Sequence, residues 1–311
     1  MTIARFICTL GLLLLTSACA TQENADTFSN SGVLTGSIMK KADCKWPDTS
    51  VWVVYDGKGE CIRYFHGNLE PSNKIAHIWF HGDVIYQHQN GSNPQVYDFY
   101  KRDASAEAQE YKVSVKSYEL GKPYIQISRP GTYGSSGDHK QRRREREVRV
   151  LNAAVDAIKG KYNISELALS GQSGGGHLVV SLITMRDDVR CAVSTSGNVS
   201  VAQRNRIKGW STDITGYNDF YDPIKYVAQI PNNPNLQIYI VADPRDTNVP
   251  FQTQVSYVDA AKAAGLNAWL IRANGWGDAH HELSHDGFRI VEWCLSGLSA
   301  EEIQKKIPIP K

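Results

Sequence analysis

Leu167-Ala168-Leu169-Ser170-Gly171-Gln172-Ser173-Gly174-Gly175-Gly176-His177-Leu178-Val179-Val180 is the stretch that decides how this chain of 311 residues is read. Leu167-Ala168-Leu169 makes a short apolar strand, and the run from His177 to Met185 is apolar enough for a buried helix. Between them stands Gly171-x-Ser173-x-Gly175, the pattern of a very sharp strand-to-helix turn that carries a serine at its tip. Such a turn holds the serine in a strained backbone conformation. Glycines two before and two after it remove Cβ atoms that would strike neighbouring backbone. The hydroxyl then projects at the C-terminal edge of a sheet, and the next amide points to where an oxyanion would sit. An ordinary glycine-rich turn and a phosphate loop are the alternatives, but no Lys-Ser/Thr follows as a P-loop requires.

Outward from this turn, short apolar runs alternate with helical patterns from about residue 50 onward, the signature of a mostly parallel sheet covered by helices. Ile75 to Phe80 reads as a strand ending at His81-Gly82-Asp83, and Tyr124 to Ile127 as another ending at Arg129-Pro130-Gly131. Leu151, Ala154, Val155 and Ile158 recur at the spacing of one helix face. The lead-in Arg142-Arg143-Arg144-Glu145-Arg146-Glu147 interleaves its charges and reads as a solvated helix face rather than an anion patch. Cys191-Ala192-Val193, Ile238 to Val241 and Trp269 to Ile271 supply further strands. With the turn at Ser173, the pattern predicts an α/β-hydrolase fold: a mostly parallel central sheet with helices on both faces.

Serine is a poor nucleophile without a base, and the base needs an acid to orient it. In this fold they follow in the order Ser, Asp or Glu, His. Asp243 and Asp246 both stand just past the strand ending at Val241, and His280, His281 and His285 lie in the loop after the strand beginning at Trp269. Asp222-Pro223, a strand, Asp246-x-x-Val249-Pro250 and a helix ending at Gly265 together resemble the catalytic domain of prolyl oligopeptidase-type hydrolases, over roughly residues 75 to 297. The resemblance implies Asp246 as the acid. The large β-propeller of those peptidases is expected to be absent, since only about fifty residues lie between the leader and the first core strand. Among the histidines His281 is the preferred base, with His280 and His285 open as alternatives. Backbone amides of Asp83 and Gly174 are the expected oxyanion donors, and His81 is read as a brace for its loop. His177 is read as packed with no role.

These residues predict an exported serine hydrolase that cleaves an ester or amide bond through an acyl-enzyme, esterase-like or peptidase-like. It would need no cofactor and no metal. Its partner would be a small-molecule or peptide acyl substrate; a net charge of +2 makes no case for nucleic acid. Two other readings compete. His281-Glu282-x-x-His285 matches the zinc metallopeptidase signature, which must lie within one helix, yet Gly275, Gly277 and Asp278 stand close before it. A hydrolase fold kept as a non-catalytic binding module is the third reading.

The expected organisation is a signal peptide over 1–20, a flexible tether and N-terminal segment over 21–45, and the hydrolase domain over 46–300. A lid-like insertion is expected around 198–235. Arg5, an apolar run from Phe6 to Leu15 and the small residues Thr16 to Ala18 make the leader. Ser17-Ala18-Cys19 resembles a lipobox, so contact with a membrane is expected only through a lipid on Cys19; Ala18-Cys19-Ala20 also fits ordinary cleavage. Periplasm, outer membrane or medium follow as destinations. Beyond Cys19 four cysteines remain, and an oxidising compartment favours two disulfides. Cys44–Cys61 with Cys191–Cys294 is the simplest pairing, buried free thiols the alternative.

Overall fold

Along each parallel strand, alternate side chains enter cores on opposite faces, which is what the period of two in an extended chain requires. Leu167 and Leu169 enter one core while Ala168 enters another; Ile238 and Ile240 are set against Tyr239 and Val241 in the same way. A strand buried on both faces reads as a continuous apolar run, which is why these segments showed no polar alternation.

The computed structural model describes residues 28–70, 72–88 and 91–310. Helix α1 (Asn30–Thr35) precedes a hairpin of β1 (Ser50–Tyr55) and β2 (Lys58–Gly67). Then come β3 (Ile75–Phe80) and a small ribbon of β4 (Ile85–Tyr86) and β5 (Gln95–Val96), followed by α2 (Asp98–Arg102) and α3 (Ala106–Leu120). From there strand and helix alternate: β6 (Tyr124–Ile127), α4 (Glu145–Lys161), β7 (Glu166–Gln172), α5 (Gly174–Leu182) and β8 (Val189–Thr195). The alternation continues with α6 (Val201–Lys208), β9 (Gln237–Ala242), α7 (Phe251–Ala263) and β10 (Ala268–Arg272). Helices α8 (Ser284–Leu295) and α9 (Ala300–Lys306) follow.

Eight strands form one sheet in the order β1-β2-β6-β3-β7-β8-β9-β10. The six from β6 to β10 are mutually parallel, and β2 runs against its neighbours. Helices α4, α5 and α7 pack on one face through residues such as Leu151, Leu178 and Tyr257, while α8 and α9 cover the other through Ile290 and Ile303. Each such aliphatic side chain, once buried, stabilises the fold by about 1.5–3 kcal/mol. Disulfide Cys191–Cys294 ties β8 to α8, and Cys44–Cys61 ties β2 to the segment before β1.

Two expectations are corrected. The sequence predicts a flexible tether and N-terminal segment over 21–45, but from Phe28 on the chain is packed. Phe28 donates its amide to the Ala104 carbonyl at 2.8 Å and lies against Phe65 and Tyr133, and Val33 is buried. Two apolar residues in a polar stretch suffice to anchor α1, whose N-cap Ser29 accepts from the Gly32 amide. The charged lead-in to α4 is not a solvated face either. The helix starts only at Glu145, and Arg143 has φ 66°. The turn this makes folds Arg142 and Arg143 inward, where the partly buried Asp83 and the buried Asp213 receive them. The leader and Cys19 lie outside the described residues.

Candidate active site

Ser173 stands between the end of β7 and the start of α5 with φ 56° and ψ −113°. Its own amide donates to Thr195 at 2.8 Å and its carbonyl accepts from His177 at 3.0 Å, so both sides of the turn are pinned. A Cβ on Gly171 would sit 2.4 Å from the Gly175 backbone, and one on Gly175 would sit 2.0 Å from the Phe80 carbonyl oxygen. No side chain fits either place, which is the physical reason for both glycines.

The loop after β9 carries the two aspartates, and they do different work. Asp243 is buried and accepts from the Arg245 guanidinium, the Arg245 amide and the Gly275 amide. Every direction around it is occupied. Asp246 accepts from the Asn248 and Val249 amides through Oδ1, at 2.7 and 2.9 Å, which leaves Oδ2 for His281 Nδ1 at 2.7 Å. Trp276 and Glu282 pair their backbones across the histidine loop, and the Thr247 amide donates to Ala279. Gly275 lets the loop close, since a Cβ there would meet the His280 carbonyl oxygen at 2.2 Å. His281 Nε2 is buried with no hydrogen-bond partner among the described residues.

Ser173 and His281 line one cavity of about 420 Å³, together with Gly82, Asp83 and Gly174. Of the sequence-predicted residues, then, Ser173, Asp246, His281, Asp83 and Gly174 are all brought together. His285 is exposed in the first turn of α8, and His280 has φ 51° within the loop. Because α8 begins at Ser284, His281 and His285 do not share a helix, so the zinc signature lacks the geometry that gives it meaning.

The loop at Gly82 lies against the turn, with the Gly82 Cβ position 3.6 Å from Ser173 Cβ. Asp83 locks it there by accepting from Arg129, Arg142 and Arg143 at 2.8, 2.9 and 2.5 Å. Burial alone would push the Asp83 carboxyl up, but the three guanidiniums outweigh it and hold it well below the usual carboxylate range. Gly174 is the first residue of α5, so its amide has no acceptor within the helix. His81 is pushed down to about 3 by burial and by Arg129. Its Nδ1 meets the Gly82 carbonyl at 2.7 Å and its Nε2 accepts from the Arg129 amide. It is a neutral brace, as the sequence suggested. His177 is buried, with Nε2 on the Tyr221 carbonyl.

No sequence pattern points to Gln172, the residue before the serine. Its Nε2 donates to the His281 carbonyl at 2.6 Å, and its Oε1 accepts from Thr195 Oγ1 and the Leu283 amide. It joins the turn to the histidine loop, although pattern matching treats its position as free.

No family model matches the chain, and no curated protein matches it in sequence. Solved structures do match in shape. An acylaminoacyl peptidase in complex with Z-Gly-Gly-Phe-chloromethyl ketone superposes with TM-score 0.54 at 14% identity, over 82% of this chain and 43% of that one. Est1E from Butyrivibrio proteoclasticus, bound to ferulic acid, matches with TM-score 0.52 at 16% identity, over 82% and 97%. The chain has the α/β-hydrolase fold. The esterase Pf2001 of Pyrococcus furiosus also shares this α/β-hydrolase shape, with TM-score 0.52 at 14% identity over 88% and 96%. The chain spans 36% to 43% of the length of the acylaminoacyl peptidases it resembles, the shorter share being that of the Pyrococcus horikoshii enzyme.

Proposed function

We propose that the chain is an exported serine hydrolase that cleaves an ester or amide through an acyl-enzyme. The observation that carries this reading is the 2.7 Å contact between His281 Nδ1 and Asp246 Oδ2, in a loop whose histidine lines the same cavity as the turn-held Ser173. Asp246 keeps the proton on Nδ1, so Nε2 is the basic nitrogen and takes the proton from Ser173 as Oγ attacks the carbonyl carbon. The resulting imidazolium is stabilised by the same carboxylate and returns its proton to the leaving group. Water, deprotonated in turn by His281, releases the acid. Amides of Asp83 and Gly174 receive the oxyanion, each such donor being worth about 3 kcal/mol in the transition state. Rigid donors matter here because they cost no reorganisation when the charge develops. Asp83, held by three arginines, supplies that rigidity.

Esterases and peptidases both appear among the structures of like shape, which supports hydrolysis of an acyl bond. Two disulfides support residence in an oxidising compartment, with the leader read in the sequence as the route there. The test measures kcat/KM for p-nitrophenyl acyl esters and peptidyl anilides from pH 8 to 5, in the wild type and in Ser173→Ala. The reading expects hydrolysis of at least one class, loss of about a thousandfold or more in Ser173→Ala, and a rate that falls toward acid as the histidine protonates. A flat profile while the protein stays folded contradicts it.

A further inference from the structure

Arg204, on α6, is 4% exposed and lines the cavity that holds Ser173. Its Nε donates to the Asn248 carbonyl at 3.1 Å and its Nη2 to Asn248 Oδ1 at 2.8 Å, and the guanidinium lies 4.7 Å from the Trp210 ring. All of these partners are neutral. The neighbouring arginines are served differently: Arg129 has Asp83 and Glu147, Arg142 has Asp83, and Arg143 has Asp83 and Asp213. Among the described residues no carboxylate forms an ion pair with Arg204. Asp246, the triad acid, is taken up by His281 and two amides. Glu282, exposed at the cavity rim, accepts from the Ser284 amide.

A buried charge is ordinarily paired, because its desolvation goes uncompensated otherwise. Burial, followed by the repulsion of Arg143, lowers Arg204 to about 10, below the usual arginine value, although Asp213, Asp83 and Asp246 oppose the shift without touching the guanidinium. A second lining residue is also left incomplete. Asn198 is 4% exposed, and neither its Oδ1 nor its Nδ2 has a partner among the described residues. A cation without a direct ion pair and an amide without a hydrogen-bond partner among the described residues thus line the same cavity as the nucleophile. Tyr86, Tyr97 and Phe99 form a half-exposed aromatic ledge lining it as well, with successive ring centroids 4.8 and 5.4 Å apart.

We propose that this cavity selects esters or amides whose acyl or leaving group carries a carboxylate, bound by Arg204 and Asn198, with the apolar body of the substrate against the aromatic ledge. A planar guanidinium matches a carboxylate with two parallel hydrogen bonds, and a bound carboxylate supplies the direct ion pair that Arg204 lacks. This assignment of substrate class rests on the serine-hydrolase reading.

The test uses matched pairs of esters on the full chain. Mono-p-nitrophenyl adipate is compared with p-nitrophenyl hexanoate, and 3-carboxyphenyl hexanoate with 3-carbamoylphenyl hexanoate, so that charge is placed on either side of the scissile bond. The wild type should prefer the carboxylate at least tenfold in kcat/KM in one pair or both. Arg204→Gln should bring that ratio to within about twofold of one, and Arg204→Lys to an intermediate value. Both members of a pair are read on one preparation, so loss of folded protein cancels from the ratio. If Arg204→Gln is inactive toward all four esters, Arg204→Lys decides, and its ratio must fall at least threefold. A wild-type ratio of one or below in both pairs overturns the proposal, as does a ratio that survives the loss of Arg204. Failure of the underlying reading looks different: every ester is then untouched by the wild type, or is hydrolysed equally well by Ser173→Ala.

Discussion

At the scale of single residues, the two aspartates after β9 show why position alone did not choose between them. Both follow the strand's end closely, and only the resemblance favoured Asp246. The structure separates them by what their oxygens meet. Asp243 is enclosed by Arg245 and the Gly275 amide, whereas Asp246 keeps one oxygen for His281. Asp246→Asn should therefore lower kcat by about ten-thousandfold through loss of the correct imidazole tautomer. Asp243→Asn should lower the kcat of the folded fraction by less than tenfold, with its main effect on stability, because it weakens the bonds that the buried position 243 makes to Arg245 and the Gly275 amide. Steady-state kinetics on protein titrated for active sites checks both, and equal losses would contradict the assignment. Gln172 and Arg204 were illegible for one common reason. Each acts through a partner more than forty residues away in sequence, and a lone Gln or Arg carries no pattern of its own.

At the scale of elements, legibility followed burial. β3, β6, β7, β8, β9 and β10 were all legible because strands covered on both faces are mainly apolar. The turn at Ser173 was legible because steric exclusion at Gly171 and Gly175 leaves glycine as the one residue that fits. Arg142 and Arg143 misled because a charge run says nothing of acids elsewhere in the chain, and Asp83 and Asp213 lie about sixty and seventy residues away. The disulfide pairing was read from simplicity and is the one found. Cys191–Cys294 closes a loop of 103 residues, Cys44–Cys61 one of 17. On chain-entropy grounds the longer bridge contributes about 4–5 kcal/mol and the shorter about 3. Replacing Cys191 and Cys294 with Ala should thus lower the stability in urea more than replacing Cys44 and Cys61. The reverse order would show that local packing, not loop length, governs these bridges.

At the scale of the whole molecule, acid should unfold the protein by way of its buried histidines. Burial pushes His77 and His81 down to about 3 and His177 to about 4, and burial with Arg129 and Arg142 nearby holds His139 well below its usual value. Each stays neutral in the fold but takes a proton when unfolded below about pH 6.5. The unfolded state then binds more protons, so stability rises with pH through this range and is lost as pH falls from about 6.5 toward 4. Each histidine contributes at most about 1.4 kcal/mol per pH unit to that slope. Asp83, Asp213 and Glu147, held below their usual values despite burial, add a further loss only below about pH 4. Calorimetric Tm should fall steeply between pH 6 and 4, and a Tm constant across that range would contradict this account. The central claim, that the whole fold serves one activated hydroxyl, is tested most directly by reacting the intact protein with a fluorophosphonate and mapping the adduct by mass spectrometry. A single phosphonyl group on Ser173, slowed in His281→Ala and in Asp246→Asn, is the expected result. Modification of another residue, or none at all on folded protein near neutral pH, would contradict it.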